Sequence, residues 1–152
     1  MAKIRRQFSF FLLCVFVFFS LASSSFSQDE QTTKGLGVLK EITVSKTTEV
    51  LDVKLIIDAY SFHRVFELMQ PERIVIDLYS IGDILAEPLI EINDFKILRI
   101  RHGMFQRGVA RVVFDVEDDF PFYGIERTPD GLKITFSTKK GHLMMFPFQG
   151  RS

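Results

Sequence analysis

The sequence has one cysteine, Cys14, and it lies inside an apolar run near the N-terminus. Leu13 precedes it, not Gly or Ala, so it is not placed to carry a lipoprotein anchor. With no cysteine after it, the chain has no disulfide framework and no thiol chemistry. It also lacks a charge surplus, with 19 basic against 19 acidic residues. That balance gives no reason to expect nucleic acid or an anionic membrane surface as partner. The three histidines, His63, His102 and His142, stand in no metal-binding spacing. GLG (35–37) is followed by no helical pattern and makes no phosphate loop. EDD (117–119) lacks the ligand spacing and glycine of a calcium loop and reads as solvated turn acids. No nucleophile is set beside a base. These absences argue against an enzyme, and no cofactor or metal is expected.

What is present begins with a leader. Lys3, Arg5 and Arg6 open the chain, FSFFLLCVFVFFSLA follows unbroken, and SSSFS supplies small residues before Gln28. This is the layout of a secretory signal peptide, with an apolar core short for a bilayer span. Cleavage is expected after Ser27, giving a periplasmic protein with no remaining membrane span. The leader takes three basic and no acidic residues with it, so the exported part is mildly acidic. The expected organisation is a signal peptide at 1–27, a flexible glycine-punctuated lead-in at 28–37, one domain at 38–137 and a tail at 138–152.

The domain reads as all-β. Short runs with period-2 alternation or β-branched stretches follow one another at 38–44, 50–60, 64–68 and 73–78. A second set stands at 96–100, 108–116, 121–126 and 131–137. IGDILAEPLIEIND (81–94) is broken by Pro88 and reads as the connection between the two sets. The sets echo each other in order: LKEI (39–42) answers ILRI (97–100), KLIID (54–58) answers RVVFD (111–115), and PERIVIDL (71–78) answers PDGLKITF (129–136). Four strands with one apolar face cannot stand alone in water. The expectation is therefore a sandwich of two pseudo-symmetric four-stranded β-sheets, each built from one set.

A charge pattern runs along these strands in Lys54–Asp58, Arg73–Asp77 and Arg111–Asp115. Residues four apart on a strand share a face but lie about 13 Å apart, so they can pair only across strands. The opposite face carries Leu55, Ile57, Ile74, Ile76, Val112 and Phe114, the expected core. The charged face reads first as cross-strand pairing that sets register. It could also bind a polar ligand. RHGMFQRGVAR (101–111) reads as a hairpin whose tip carries an aromatic with amide and guanidinium neighbours. Such a group suits a carbohydrate or peptide, because ring faces cover sugars and polar groups take hydroxyls or carboxylates.

PERIVIDL, the connection after it, ILRIRHGMFQRGVARVVFDV and the closing PDGLKITFS together resemble the AMIN domain. That family occurs in bacterial cell-wall amidases and in secretins of pilus and secretion systems. Ile100, Arg101, Gly103, Phe105, Arg111, Val112, Val113 and Asp115 meet its pattern, and the likeness runs from about Val38 to Ser137. It implies a non-catalytic periplasmic module that targets peptidoglycan. The candidate ligand residues, taken from the charged face and the hairpin, are Arg101, Phe105, Gln106, Arg107, Arg73, Asp77, Arg111 and Asp115. The chain ends after STKKGHLMMFPFQGRS with no amidase or secretin portion, so a stand-alone module is expected. Gly131 and Thr135 stand where Arg73 and Asp77 stand in the other copy, so a charged ligand face should exist in one half only. The alternative is an interaction subunit docking on envelope proteins (amidase, pilus or secretion components), with apolar LMMFPF (143–148) as the docking segment.

Overall fold

The computed structural model describes residues 36–139. The proposed leader and cleavage site, most of the lead-in and the LMMFPF segment lie outside the described residues. Those described contain no helix. They form ten strands: β1 (Gly37–Lys46), β2 (Val50–Asp58), β3 (His63–Leu68), β4 (Arg73–Tyr79), β5 (Ile81–Ile84), β6 (Leu89–Asp94), β7 (Ile97–Gln106), β8 (Val109–Val116), β9 (Phe122–Thr128) and β10 (Gly131–Ser137). They make two five-stranded sheets. The first runs β5-β1-β2-β10-β9 and the second β3-β4-β8-β7-β6.

Two expectations need correction. The sheets have five strands each, not four, because 81–94 is more than a connection. In LIEIND, Ile90 and Ile92 pack against the core while Leu89, Glu91 and Asn93 face out or rim it. That alternation is a strand signal, and Pro88 sits between β5 and β6 and interrupts neither. β5 runs parallel to β1, with Gly37 opposite Ile81. Any Cβ at Gly37 would come within 2.0 Å of the Asp58 carbonyl oxygen, which is why a glycine opens β1.

The second correction concerns which strands share a sheet. The two sets do not form one sheet each; they exchange hairpins. β1–β2 joins β10–β9, and β3–β4 joins β8–β7. A plain four-strand meander would leave β4 at an edge with half its backbone groups unpaired. In the exchanged order β4 pairs with both β3 and β8, and β10 with both β2 and β9. The internal echo survives in this form. Read as β7-β8-β4-β3, four strands of the second sheet stand where β1-β2-β10-β9 stand in the first, while β5 and β6 lie outside the echo, one parallel and one antiparallel to its neighbour.

One buried cluster draws on both sheets, a sandwich-like arrangement. The six expected core residues all belong to it, Leu55 at 1%, Ile57 at 6% and the other four at 0% exposed. Phe114 of β8 meets Phe136 of β10 with ring centroids 5.2 Å apart and planes tilted 56°, a favourable offset geometry. On one side the edge strands β3 and β9 are joined by polar contacts. Tyr123 donates to the Glu67 carboxylate at 3.2 Å. Near its end, Tyr60 donates to the Gly131 carbonyl at 3.4 Å, and the Arg127 guanidinium lies 4.6 Å from the Tyr60 ring centroid. His63 lies beside Tyr60, and burial, reinforced by the Arg127 charge, holds its pKa below the ordinary histidine value.

Phe136→Ala removes a fully buried ring and should cost about 3–5 kcal/mol in denaturant unfolding. For His63 the folded state takes up a proton less readily than the unfolded chain. Stability present at about pH 8 should therefore decline as pH falls through the ordinary histidine value near 6.5. The difference between wild-type and His63→Gln melting curves, taken from about pH 8 to about pH 5, isolates this contribution from His102 and His142.

Candidate functional site

The outer face of the second sheet is set by strand alternation and register. Arg64, Asp77, Arg111 and Gly103 stand in one cross-strand row. Phe66, Val75, Val113, Arg101 and Leu89 form the next row, and Leu68, Arg73, Asp115, Arg99 and Glu91 the third. Five arginines thus share one face. The strands of the first sheet contain one arginine, Arg127, which lies against Tyr60.

Two carboxylates organise the arginines. Asp77 is 5% exposed and takes two bonds from Arg111, Nε to Oδ1 at 2.7 Å and Nη2 to Oδ2 at 2.8 Å. Asp115 is 9% exposed and takes Nε of Arg99 at 2.8 Å together with Nε and Nη2 of Arg101, both at 3.0 Å. Cross-strand pairing is present, but only Arg111–Asp77 joins two members of the expected charge pattern; Asp115 takes Arg99 and Arg101 instead, and Asp58 takes Lys40. Burial alone would raise the Asp115 pKa, but the bonds from Arg101 and Arg99 outweigh it and hold the carboxyl below its ordinary value. The same contacts raise the pKa of Arg101 and Arg111, each chiefly through its carboxylate hydrogen bonds. Arg111 also lies 3.5 Å from the Phe105 ring centroid and 5.4 Å from that of Phe66, a doubly stacked cation.

Arg64 and Arg73 are different. Each stands opposite an aspartate in register, Arg64 to Asp77 and Arg73 to Asp115. Those carboxylates are occupied by other arginines, and neither Arg64 nor Arg73 has a carboxylate partner among the described residues. Arg73 bonds only the Pro71 carbonyl at 3.3 Å, and Arg64 lies 5.7 Å from the Phe66 ring centroid. The face therefore carries more guanidinium than carboxylate.

A recess of about 270 Å³ opens on this face, lined by Arg101, His102, Gly103, Met104, Phe105, Arg111 and Val113. A side chain at Gly103 would meet nothing within 4 Å, so the glycine is there as open floor, not as a tight packing contact. Of the expected ligand residues, Arg101, Phe105 and Arg111 meet at the recess, and Asp77 and Asp115 brace them. Arg73 stands in the third row, beyond it. The expected hairpin tip is shorter than its sequence suggests. β7 runs to Gln106, so Met104 and Phe105 are strand residues, and only Arg107 and Gly108 make the turn. Gly108 takes φ +77°, the left-handed conformation that such a turn requires. Gln106 and Arg107 do not line the recess.

Sequence reasoning missed Arg64, Arg99 and Phe66. The signal was available: Arg99 is two residues from Arg101, and Arg64 two from Phe66, so each pair shares a face. His102 also lines the recess, and its Nε2 lies 2.7 Å from the Glu87 carbonyl oxygen. Among the described residues no three His, Cys, Asp or Glu side chains converge as a metal site would need. In the 117–119 turn, Asp119 is paired with Lys96.

Arg111→Ala would strand the buried Asp77 carboxylate and should lower unfolding free energy by about 2–3 kcal/mol. Arg64→Ala and Arg73→Ala strand nothing and should stay within about 0.5 kcal/mol of wild type. Urea unfolding of the three variants measures the contrast. No family model matches the sequence, and no curated protein matches it at a significant level, so what this face can bind is judged from its own chemistry.

Proposed function

We propose that the chain is a non-catalytic, AMIN-like periplasmic module, a sandwich of two pseudo-symmetric sheets that binds peptidoglycan with the outer face of its second sheet. The carrying observation is that five arginines share that face while only two aspartates are buried among them. Peptidoglycan offers the complementary chemistry, carboxylates on its stem peptides and sugar rings along its glycan. Guanidinium groups take carboxylates in a planar fork. Phe105 and Phe62, each 54% exposed, offer ring surface at the same end of the face, Phe62 stacked on Tyr79 with centroids 4.1 Å apart. The first sheet lacks this character. At the position of the Arg111–Asp77 pair it has Asp52 and Thr135, the Thr135 hydroxyl donating to the carboxylate at 2.6 Å, and Lys133 balances Asp52 at 3.1 Å. Binding is therefore one-sided.

A second reading, docking on an envelope protein, draws on exposed apolar residues at the β3–β4 hairpin, Leu68 at 36% and Met69 at 73%. Sedimentation with purified sacculi separates the two. Wild-type protein should pellet with the sacculi and be released by added salt, since exposed charges are screened over about 10 Å at 0.1 M. The Arg64→Ala/Arg73→Ala variant should pellet several-fold less with an unchanged melting temperature. Wild-type protein left in the supernatant would end the wall reading in favour of docking, and a double variant that pellets as wild type would move the site off this face.

A further inference from the structure

We propose that the recess between Arg101 and Arg111 is a carboxylate pocket for the C-terminal end of a peptide that finishes in a small apolar residue. This rests on the reading of the second sheet's outer face as the ligand surface, and adds which ligand group sits where.

The two guanidiniums that line the recess are held in the same manner. Each commits Nε and Nη2 to an aspartate, Arg101 to Asp115 and Arg111 to Asp77. Each keeps Nη1, with its two N–H groups, for another acceptor. The local balance favours an anion. Arg99, Arg101 and Arg111 are set against Asp77 and Asp115, leaving one positive charge over, with Arg64 and Arg73 in the flanking rows and Glu91 the nearest further acid in register.

The remaining lining selects what the carboxylate is attached to. Val113 lies between Arg111 and Asp115 on β8, opposite Arg101, and gives an apolar floor. Phe105 forms a wall that is itself fixed over Arg111. Gly103, opposite Arg111, contributes no side chain, and a Cβ there would meet nothing within 4 Å, so the recess is open at this point to a small side chain. A recess of about 270 Å³ falls below the roughly 300–1,000 Å³ of small-molecule pockets. It suits one terminal residue with the peptide bond leading into it. Inorganic phosphate would satisfy the guanidiniums but leave the exposed Phe105 ring uncovered.

The test is an NMR titration of the full-length chain, expressed with its leader and purified from a secreting host. The probes are N-acetyl-D-alanyl-D-alanine, its C-terminal amide and inorganic phosphate. The free acid should shift the Gly103, Phe105 and Val113 amides with a millimolar Kd, and the amide should bind at least tenfold more weakly. Phosphate should not saturate the same shifts. Gly103→Val should abolish the acid-specific shifts at an unchanged melting temperature, and Arg101→Gln should do so even if the valine disturbs the strand. Equal binding of acid and amide, saturation by phosphate, or shifts that survive both substitutions would overturn the pocket. Acid-specific shifts without sacculus sedimentation would keep the pocket and remove the wall reading. Sedimentation of both wild type and Gly103→Val, with no dipeptide shifts, would overturn the pocket and leave the wall reading in place.

Discussion

The second sheet depends on a roof of arginine over its two central strands. β4 and β8 are apolar on the core side and also nearly buried outside, where Val75 is 1%, Asp77 5%, Val113 8% and Asp115 9% exposed. No further element crosses this face among the described residues. Register sets Phe66, Arg99, Arg101 and Arg111 of the same sheet around these residues, and Arg111 lies against the rings of Phe66 and Phe105. Arginine is suited to this because its three methylenes cover apolar surface while its head reaches a carboxylate. The aspartates are the counterpart. Two carboxylates at such burial are tolerable only with guanidinium hydrogen bonds on both oxygens. Each pair joins neighbouring strands, so the same bonds that neutralise the acids also hold β4, β8 and β7 in register.

Comparing the two sheets shows what such a roof costs in symmetry. The two sheets share strand order and an interlocking core, Phe114 against Phe136, so packing holds both copies to apolar residues at matching places. Their outer faces meet no such demand and differ. The strand pairing makes the divergence sharper than the sequence echo suggests. KLIID answers RVVFD when the letters are aligned, yet Val53 pairs with Ile134 as Val112 pairs with Ile76. The structural counterpart of Arg111 is therefore Asp52, not Lys54. A shift of two residues keeps every side chain on its own face, so the core tolerates it. The charged rows do not, and Lys54 ends opposite Lys133 instead of opposite an acid.

That distinction explains what was readable in the letters. Leu55, Ile57, Ile74, Ile76, Val112 and Phe114 were legible because burial on a strand writes a period of two, and period survives any even shift. The charge pairing was legible in principle, since residues four apart cannot reach each other along a strand. Which arginine reaches which aspartate was not, because it depends on which strands are neighbours. The exchanged hairpins put β8 beside β4, and no local pattern in 50–58 or 108–116 distinguishes that order from a plain meander. The strands at 81–84 and 89–94 were hidden by Pro88, which lies between them but reads as a breaker when the stretch is taken whole. Phe105 and Gln106 seemed to belong to a tip because Gly103 resembles turn punctuation. In the fold it is an open place on a strand.

A chain with balanced charge can still present a cationic face, because acids and bases are distributed by different constraints. Asp52, Asp58, Asp94 and Asp119 are paired with lysines on the first sheet or in turns. The second sheet keeps the arginines, because only guanidinium can both cover Val75 and Val113 and fork onto the aspartates. The consequence for recognition is a division within one face. Arg101 and Arg111 are already fixed by their carboxylates, so a ligand meeting them does not bear the loss of about 2 kcal/mol of rotamer entropy that a free arginine would impose. Arg64 and Arg73 have no such brace and can follow a ligand of variable shape. On the proposed reading the centre discriminates by geometry, and the rim adds attraction that salt screens. A polymer with regularly placed carboxylates is the kind of partner that rewards both.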